Sequence, residues 1–194
     1  MKILLSILSI GVFLISCEKT NVNPITQNEH YVGELFGGGV VLWVDHTGEH
    51  GLIVSMVDLS AAPPWSNITT AAVGTTNHWD GANNTIVIIG QTGHTSSAAQ
   101  LCDDYTNADY GTGTYSDWYL PSITELNLIW NNLYEVQKAL ANDGNPSTTT
   151  LISSEYWSSS ESNAFDAWGF RFATGYQDIF VKGGGGFVRA VRAF

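Results

Sequence analysis

The sequence is short of positive charge, of sulfur and of proline: its 194 residues hold seven Lys and Arg, two Cys, two Met and five Pro. Eighteen Asp and Glu bring the formal net charge to −11. So acidic a balance discourages nucleic acid, anionic lipid and polyanions as partners of the molecule as a whole. Two cysteines exclude a disulfide framework. Long apolar runs are also missing beyond the first seventeen residues: 51–57 and 85–89 are strand-length, far short of the about 20 residues a membrane-spanning helix needs.

The first seventeen residues are different. Lys2 is followed by an apolar stretch, 3–15, broken only by Ser6, Ser9 and Gly11, which has the length of a secretory h-region rather than of a permanent span. Leu14-Ile15-Ser16-Cys17 then resembles the bacterial lipobox, with a small residue before the cut and a cysteine thiol to carry diacylglycerol. The expected organisation is a leader over 1–16, lipidated Cys17 with a flexible tether to residue 29, and one domain over 30–194. Removing Lys2 with the leader leaves six Lys and Arg against eighteen acids, net −12. With Cys17 acylated, Cys102 stands alone, at an apolar helical position that predicts a buried thiol. The membrane is then reached through the lipid alone, and the expected location is the outer membrane, exposed at the cell surface.

Residues 31–45 are β-rich around Gly37-Gly38-Gly39, and His46-Thr47-Gly48-Glu49-His50 reads as a turn into a buried strand over 51–57. Its two histidines lie four apart, but on a hairpin turn they do not share a helical face, so no metal site is expected. Residues 61–93 read as a long ordered loop with Trp65 and Trp79 embedded. A helix is expected over 95–107, capped by Thr95 or Ser96. A second follows Ser122, whose spacing to Glu125 makes a capping box, with Leu126, Ile129, Trp130 and Leu133 as its apolar face. From residue 151 the chain is β again. Trp168 to Ala173 alternates as a half-buried strand does, and 188–194 reads as a final strand docked in the sheet.

Trp118-Tyr119-Leu120-Pro121-Ser122-Ile123-Thr124-Glu125-Leu126, Tyr156-Trp157-Ser158-Ser159-Ser160-Glu161, Ala167-Trp168 and Val188-Arg189-Ala190-Val191-Arg192 resemble, in order, the hallmarks of the DUF1566 group, the Lcl C-terminal domain family. The resemblance covers roughly 31–194 and implies an α+β, C-type-lectin-like fold: two helices packed on a small, mostly antiparallel sheet with long ordered loops. Trp118, Trp157 and Trp168 read as core anchors. Either Arg189 or Arg192 is expected to pair with a buried acid such as Glu125 or Glu161. The calcium-chelating triplets of sugar-binding lectins do not occur, and the oxidative branch of the fold needs paired cysteines that the mature chain lacks. The reading is therefore non-enzymatic, with no cofactor and no metal.

One segment, 162–187, does not read as scaffold alone. Around Ala167, Trp168, Phe170, Phe172, Gly175, Gln177 and Lys182 lie Phe165, Asp166, Gly169, Arg171, Ala173, Thr174, Tyr176, Asp178, Ile179, Phe180, Val181, Phe187 and the glycines 183–186. All of these can arise by randomising the adenines of an AAC codon, whereas Lys, Gln and Trp cannot. Within the segment the unreachable types occur only at Trp168, Gln177 and Lys182, which resembles lectin-fold lipoproteins diversified by retroelements. Gly169, Arg171 and Ala173 fall opposite Trp168, Phe170 and Phe172, so the scattered residues are expected on one exposed surface, of the kind that recognises a protein or glycan ligand. The alternative is a structural envelope lipoprotein whose domain mediates assembly.

Overall fold

The computed structural model describes residues 29–194; the leader, Cys17 and most of the expected tether lie outside the described residues. β1 (Leu35–Phe36) turns through Gly37 and Gly38 into β2 (Gly39–Val44), and both glycines take positive φ, 59° and 92°. β2 pairs antiparallel with β3 (Gly51–Ser55). The turn between them is wound on Asp45, whose Oδ1 accepts from the Thr47 amide, the Thr47 hydroxyl and the Gly48 amide at 2.7–2.9 Å. At the far end of the chain β7 (Val191–Ala193) pairs antiparallel with β3, giving the order β1-β2-β3-β7. The terminal Phe194 is docked as expected, exchanging backbone hydrogen bonds with Gly51 and packing edge-on against Phe36.

Four helices lie between the sheets' strands, where two were expected. α1 (Gly81–Ile89) occupies the stretch read as loop. Its Thr-Ile-Val-Ile-Ile run has the β-branched composition of a strand, but a side-chain cap and polar bonds to the loops before α1 and α3 hold it helical. Asp80 caps it by accepting from the Asn83 amide, Asn84 donates to the Asn77 carbonyl at 2.7 Å, and the Thr85 hydroxyl accepts from the Leu120 amide at 3.0 Å. Trp79, just before it, is not embedded but 75% exposed. α2 (Ala98–Asp103) is shorter than expected and capped by Ser97 rather than Thr95 or Ser96. α3 (Ile123–Asn131) starts at the capping box: the Glu125 amide donates to Ser122 Oγ, and the Ser122 amide to Glu125 Oε2 at 2.7 Å. The chain breaks at Asn132, so Leu133 opens α4 (Leu133–Asn142) instead of continuing α3.

The second sheet is a three-stranded antiparallel meander, β4 (Glu155–Glu161), β5 (Asp166–Arg171) and β6 (Tyr176–Val181), with β6 at its edge. Two cores result. One joins Val40, Leu126, Ile129, Val136, Tyr156 and Phe170 between the sheets and α3–α4. The other gathers Trp65, Trp118 and Trp157 with Ile88, Cys102 and Val188. Cys102 is fully buried, which pushes its thiol pKa well above the ordinary value. Among the described residues the fold is thus α+β with two antiparallel sheets and four helices.

Candidate functional site

The frame of the second sheet is built on a β4 strand that bulges between Trp157 and Glu161. Two of its buried serines act as polar connectors rather than as surface. Ser158 donates to the Trp168 carbonyl at 2.7 Å, Ser160 to the Asn77 carbonyl at 2.9 Å, and the Ile123 amide donates to Ser160 Oγ at 3.2 Å. Trp65 and Trp157 each place their indole N–H on a carbonyl, Ser158 at 2.7 Å and Pro63 at 3.0 Å. A buried indole must find such an acceptor.

Three buried cations are paired around the two sheets. Lys182 lies over the Trp65 ring, with Nζ 2.5 Å from Glu161 Oε1 and 3.1 Å from the carbonyls of Ala71 and Ala164. Glu161 also accepts from the amides of Val73 and Gly74 at 2.8 and 2.7 Å. Arg189 is fully buried and pairs with Asp58 at 3.0 Å, while Arg192 pairs with Asp117 at 2.6 Å. Neither arginine meets Glu125 or Glu161, the acids expected for them. Glu161 belongs to Lys182, and Glu125 serves the helix cap and accepts from the Tyr119 hydroxyl at 2.9 Å. Burial pushes the carboxyl pKa of both Asp58 and Glu125 up. The Arg192 guanidinium instead holds Asp117 below the usual carboxylate range.

Against this frame the hairpin β5–β6 displays most of the scattered set. Its register pairs Arg171 with Tyr176, Gly169 with Asp178 and Ala167 with Phe180. Directly paired residues share a face, so Arg171, Tyr176, Asp178 and Phe180 stand on one side of the sheet. There Arg171 reaches Glu155 on β4, bonds Asp178 Oδ2 through Nε at 2.8 Å, and lies 4.9 Å over the Phe180 ring. Phe180 in turn packs edge-on to Trp157 at 5.9 Å and fills the space over Gly169, where a Cβ would come within 2.7 Å of its ring. Tyr176 is 69% exposed beside them. The Ile179 amide and the Arg171 guanidinium hold the Asp178 carboxyl below its ordinary range.

The remaining residues divide. Asp166, Ile179 and Val181 share the opposite face with Trp168, and Ile179 and Val181 stay exposed because β6 is an edge strand. Trp168 is half-buried and meets His78 edge-on, less enclosed than the other two anchors. Phe165 is exposed on the β4–β5 turn, where Asn163 Oδ1 accepts from the Phe165 and Asp166 amides. Ala173 and Thr174 are exposed on the β5–β6 turn, which closes through Gly175 at φ 75° against the Trp130 ring. Phe187 stands apart: it is half-buried against Tyr156, and its backbone bonds both Trp157 and Glu155. The glycine run is less loose than its composition implies. A Cβ on Gly186 would come within 2.9 Å of the Trp157 indole, and one on Gly185 within 3.1 Å of Ala62. The β6 edge is also blunted, since the Ile179 amide is taken by Asp178 Oδ1 and the Val181 carbonyl by the Gly184 amide.

A crystal structure of a fimbrial protein from Bacteroides ovatus resembles this fold with a TM-score of 0.59 at 19% identity, over 79% of this chain and 43% of that one. The chain thus spans less than half of that neighbour, and at this identity the likeness concerns the fold. No curated protein matches the sequence. The profile of the Lcl C-terminal domain family matches residues 57–192.

Proposed function

The chain belongs to the Lcl C-terminal domain family, and from that premise we propose that it is a surface-displayed lipoprotein whose β5–β6 hairpin is a recognition surface for a protein or glycan ligand. In this reading the domain is a variant of the C-type-lectin-like fold, Cys17 carries the lipid, and the molecule binds rather than catalyses. The observation that carries it is the clustering of Arg171, Tyr176 and Phe180 on one face of an edge hairpin, over a frame fixed by buried ion pairs. Aromatic rings and an arginine held in place by neighbours are what binding surfaces use as anchors. Ile179 and Val181 on the other face extend the same edge. The alternative, an assembly role in the envelope without a diversified site, draws on the fimbrial neighbour, while the blunted β6 edge speaks against assembly by strand addition there.

One measurement decides between them, and a second tests the anchor that both readings share. A reverse transcriptase gene beside the coding sequence, with a near-copy of its 3′ end bearing adenine substitutions, is expected for a diversified surface; flanking DNA without either favours assembly. Palmitate labelling is expected on the native chain and lost in Cys17→Ala, and labelling that persists in the variant removes the anchor.

A further inference from the structure

A second recessed surface lies outside the hairpin, between β3's end and the loop that follows α4. It is a broad cleft of about 720 Å³, and the residues that matter in its lining are Asp58, Asn145, Pro146, Thr149, Thr150 and Ile152. That volume is within the usual range for small-molecule sites, roughly 300–1,000 Å³.

The hydrogen-bonding state of these groups is uneven. Thr149 Oγ1 accepts twice, from the Asp58 amide at 2.8 Å and from Arg189 Nη1 at 3.1 Å. Both lone pairs are occupied, so its hydroxyl proton must be donated, and among the described residues nothing accepts it. Asp58 Oδ2 accepts only the Tyr156 hydroxyl, shared with Oδ1 at 3.2 and 3.1 Å, and keeps acceptor capacity. Asn145 Oδ1 is taken by the Ser147 amide at 3.0 Å, but its Nδ2 makes no bond among the described residues, nor does the exposed Thr150 hydroxyl. The cleft therefore presents one oriented hydroxyl donor beside a carboxylate acceptor, plus a free amide donor and a free hydroxyl. Pro146 and the partly exposed Ile152 add aliphatic surface.

From this pattern we propose that the cleft is a binding site for a neutral carbohydrate of one or two pyranose rings. A sugar hydroxyl both donates and accepts, which matches the Thr149–Asp58 pair, and its C–H face suits proline and isoleucine. Charged ligands fit less well. Arg189, the cation behind the wall, is buried and already neutralises Asp58 at 3.0 Å, so it offers nothing to an anion. The other carboxylate of the cleft, Asp143, is committed to Thr148, Tyr110 and the Asn145 amide, which leaves little for an ammonium group. With no aromatic platform in the lining, the affinity is expected to be weak, on the order of 1 mM.

The test is an amide-shift NMR titration of the full-length chain, in a sugar-free detergent, with methyl glucoside, methyl mannoside, methyl galactoside and cellobiose. Saturable shifts at Asn145, Thr149 and Thr150 with at least one of them are expected. Asn145→Asp, which keeps the Ser147 bond, and Thr150→Val are each expected to weaken that binding roughly five-fold, the worth of one neutral hydrogen bond. Arg171→Ala is expected to leave it unchanged, which separates this site from the hairpin. No saturable shift in the loop, the same response to glycerol, or a response only to glucuronate or to a primary amine would overturn the proposal.

Discussion

Lys182 and Arg171 are both ion-paired cations on the same hairpin, yet they sit in opposite circumstances. The Lys182 and Glu161 side chains are 0% and 2% exposed, and the pair ties β6 to two carbonyls and to the loop amides of Val73 and Gly74. The Arg171, Glu155 and Asp178 side chains are 41%, 38% and 49% exposed and tie only strand to strand. A buried ion pair constrains because removing one partner strands the other away from water, whereas an exposed pair is screened and replaceable. One short stretch of chain therefore carries both a fixed element and a substitutable surface. The division follows burial, not residue type.

The sharpest way to break this contrast is Lys182→Met. It leaves the buried Glu161 carboxyl without its cation, and a loss of about 3–5 kcal/mol is expected in chemical denaturation; a loss near that of a surface variant would mean the pair does not lock the frame. Gly169→Ala comes next. Its Cβ meets the Phe180 ring at 2.7 Å and the Tyr156 carbonyl at 2.8 Å, and a cost of roughly 1–3 kcal/mol is expected. Combining it with Phe180→Ala should recover only part of that cost, because the carbonyl stays, so a double-mutant cycle measures how far the two positions depend on each other. Arg171→Ala and Tyr176→Ala are expected to shift stability by less than about 1 kcal/mol. A larger drop in thermal unfolding would place them with the frame.

Much of the architecture could be read from local pattern. The Ser122–Glu125 cap, the turn wound on Asp45 and the alternation from Trp168 to Phe172 all depend on neighbours within a few residues, and the apolar composition of the last strand marked it for docking. What escaped depends on distant partners. The run at 85–89 is helical where Asn84 and Thr85 bond to Ser159 and Leu120, and intrinsic preference yields to those contacts. Asp58 and Asp117 meet Arg189 and Arg192 over separations of 131 and 75 residues, where spacing carries no signal. Lys182 was legible as frame because it interrupts the scatter, but its partner was not. Of the scattered residues, alternation correctly separated Arg171 from Trp168. It could not show that β6 is an edge strand exposed on both faces, nor that Phe187 packs on Tyr156.

The smallest expected effect is electrostatic and sharpens the contrast in sign. Asp178 is held below its ordinary pKa, so its stabilising contribution is present above the unfolded-state value and lost as pH falls through the lowered one. Glu125 is pushed up by burial, so its contribution is present below the unfolded-state value and lost as pH rises through the raised one. A carboxyl-detected NMR titration is expected to find Asp178 below and Glu125 above the usual range. The same direction for both would erase the distinction.

The ammonium of Lys182 has one more effect, on alignment. Side chains alternate along a strand, so a slip of one residue would bring Val181 or Gly183 to the Trp65 slot and turn the charge out of it. Only one threading of β6 seats the lysine. Any string of residues substituted between 176 and 181 would consequently be read out in the same phase. The strand behaves as a keyed cassette, into which a library of sequences could be cloned without its members drifting out of step.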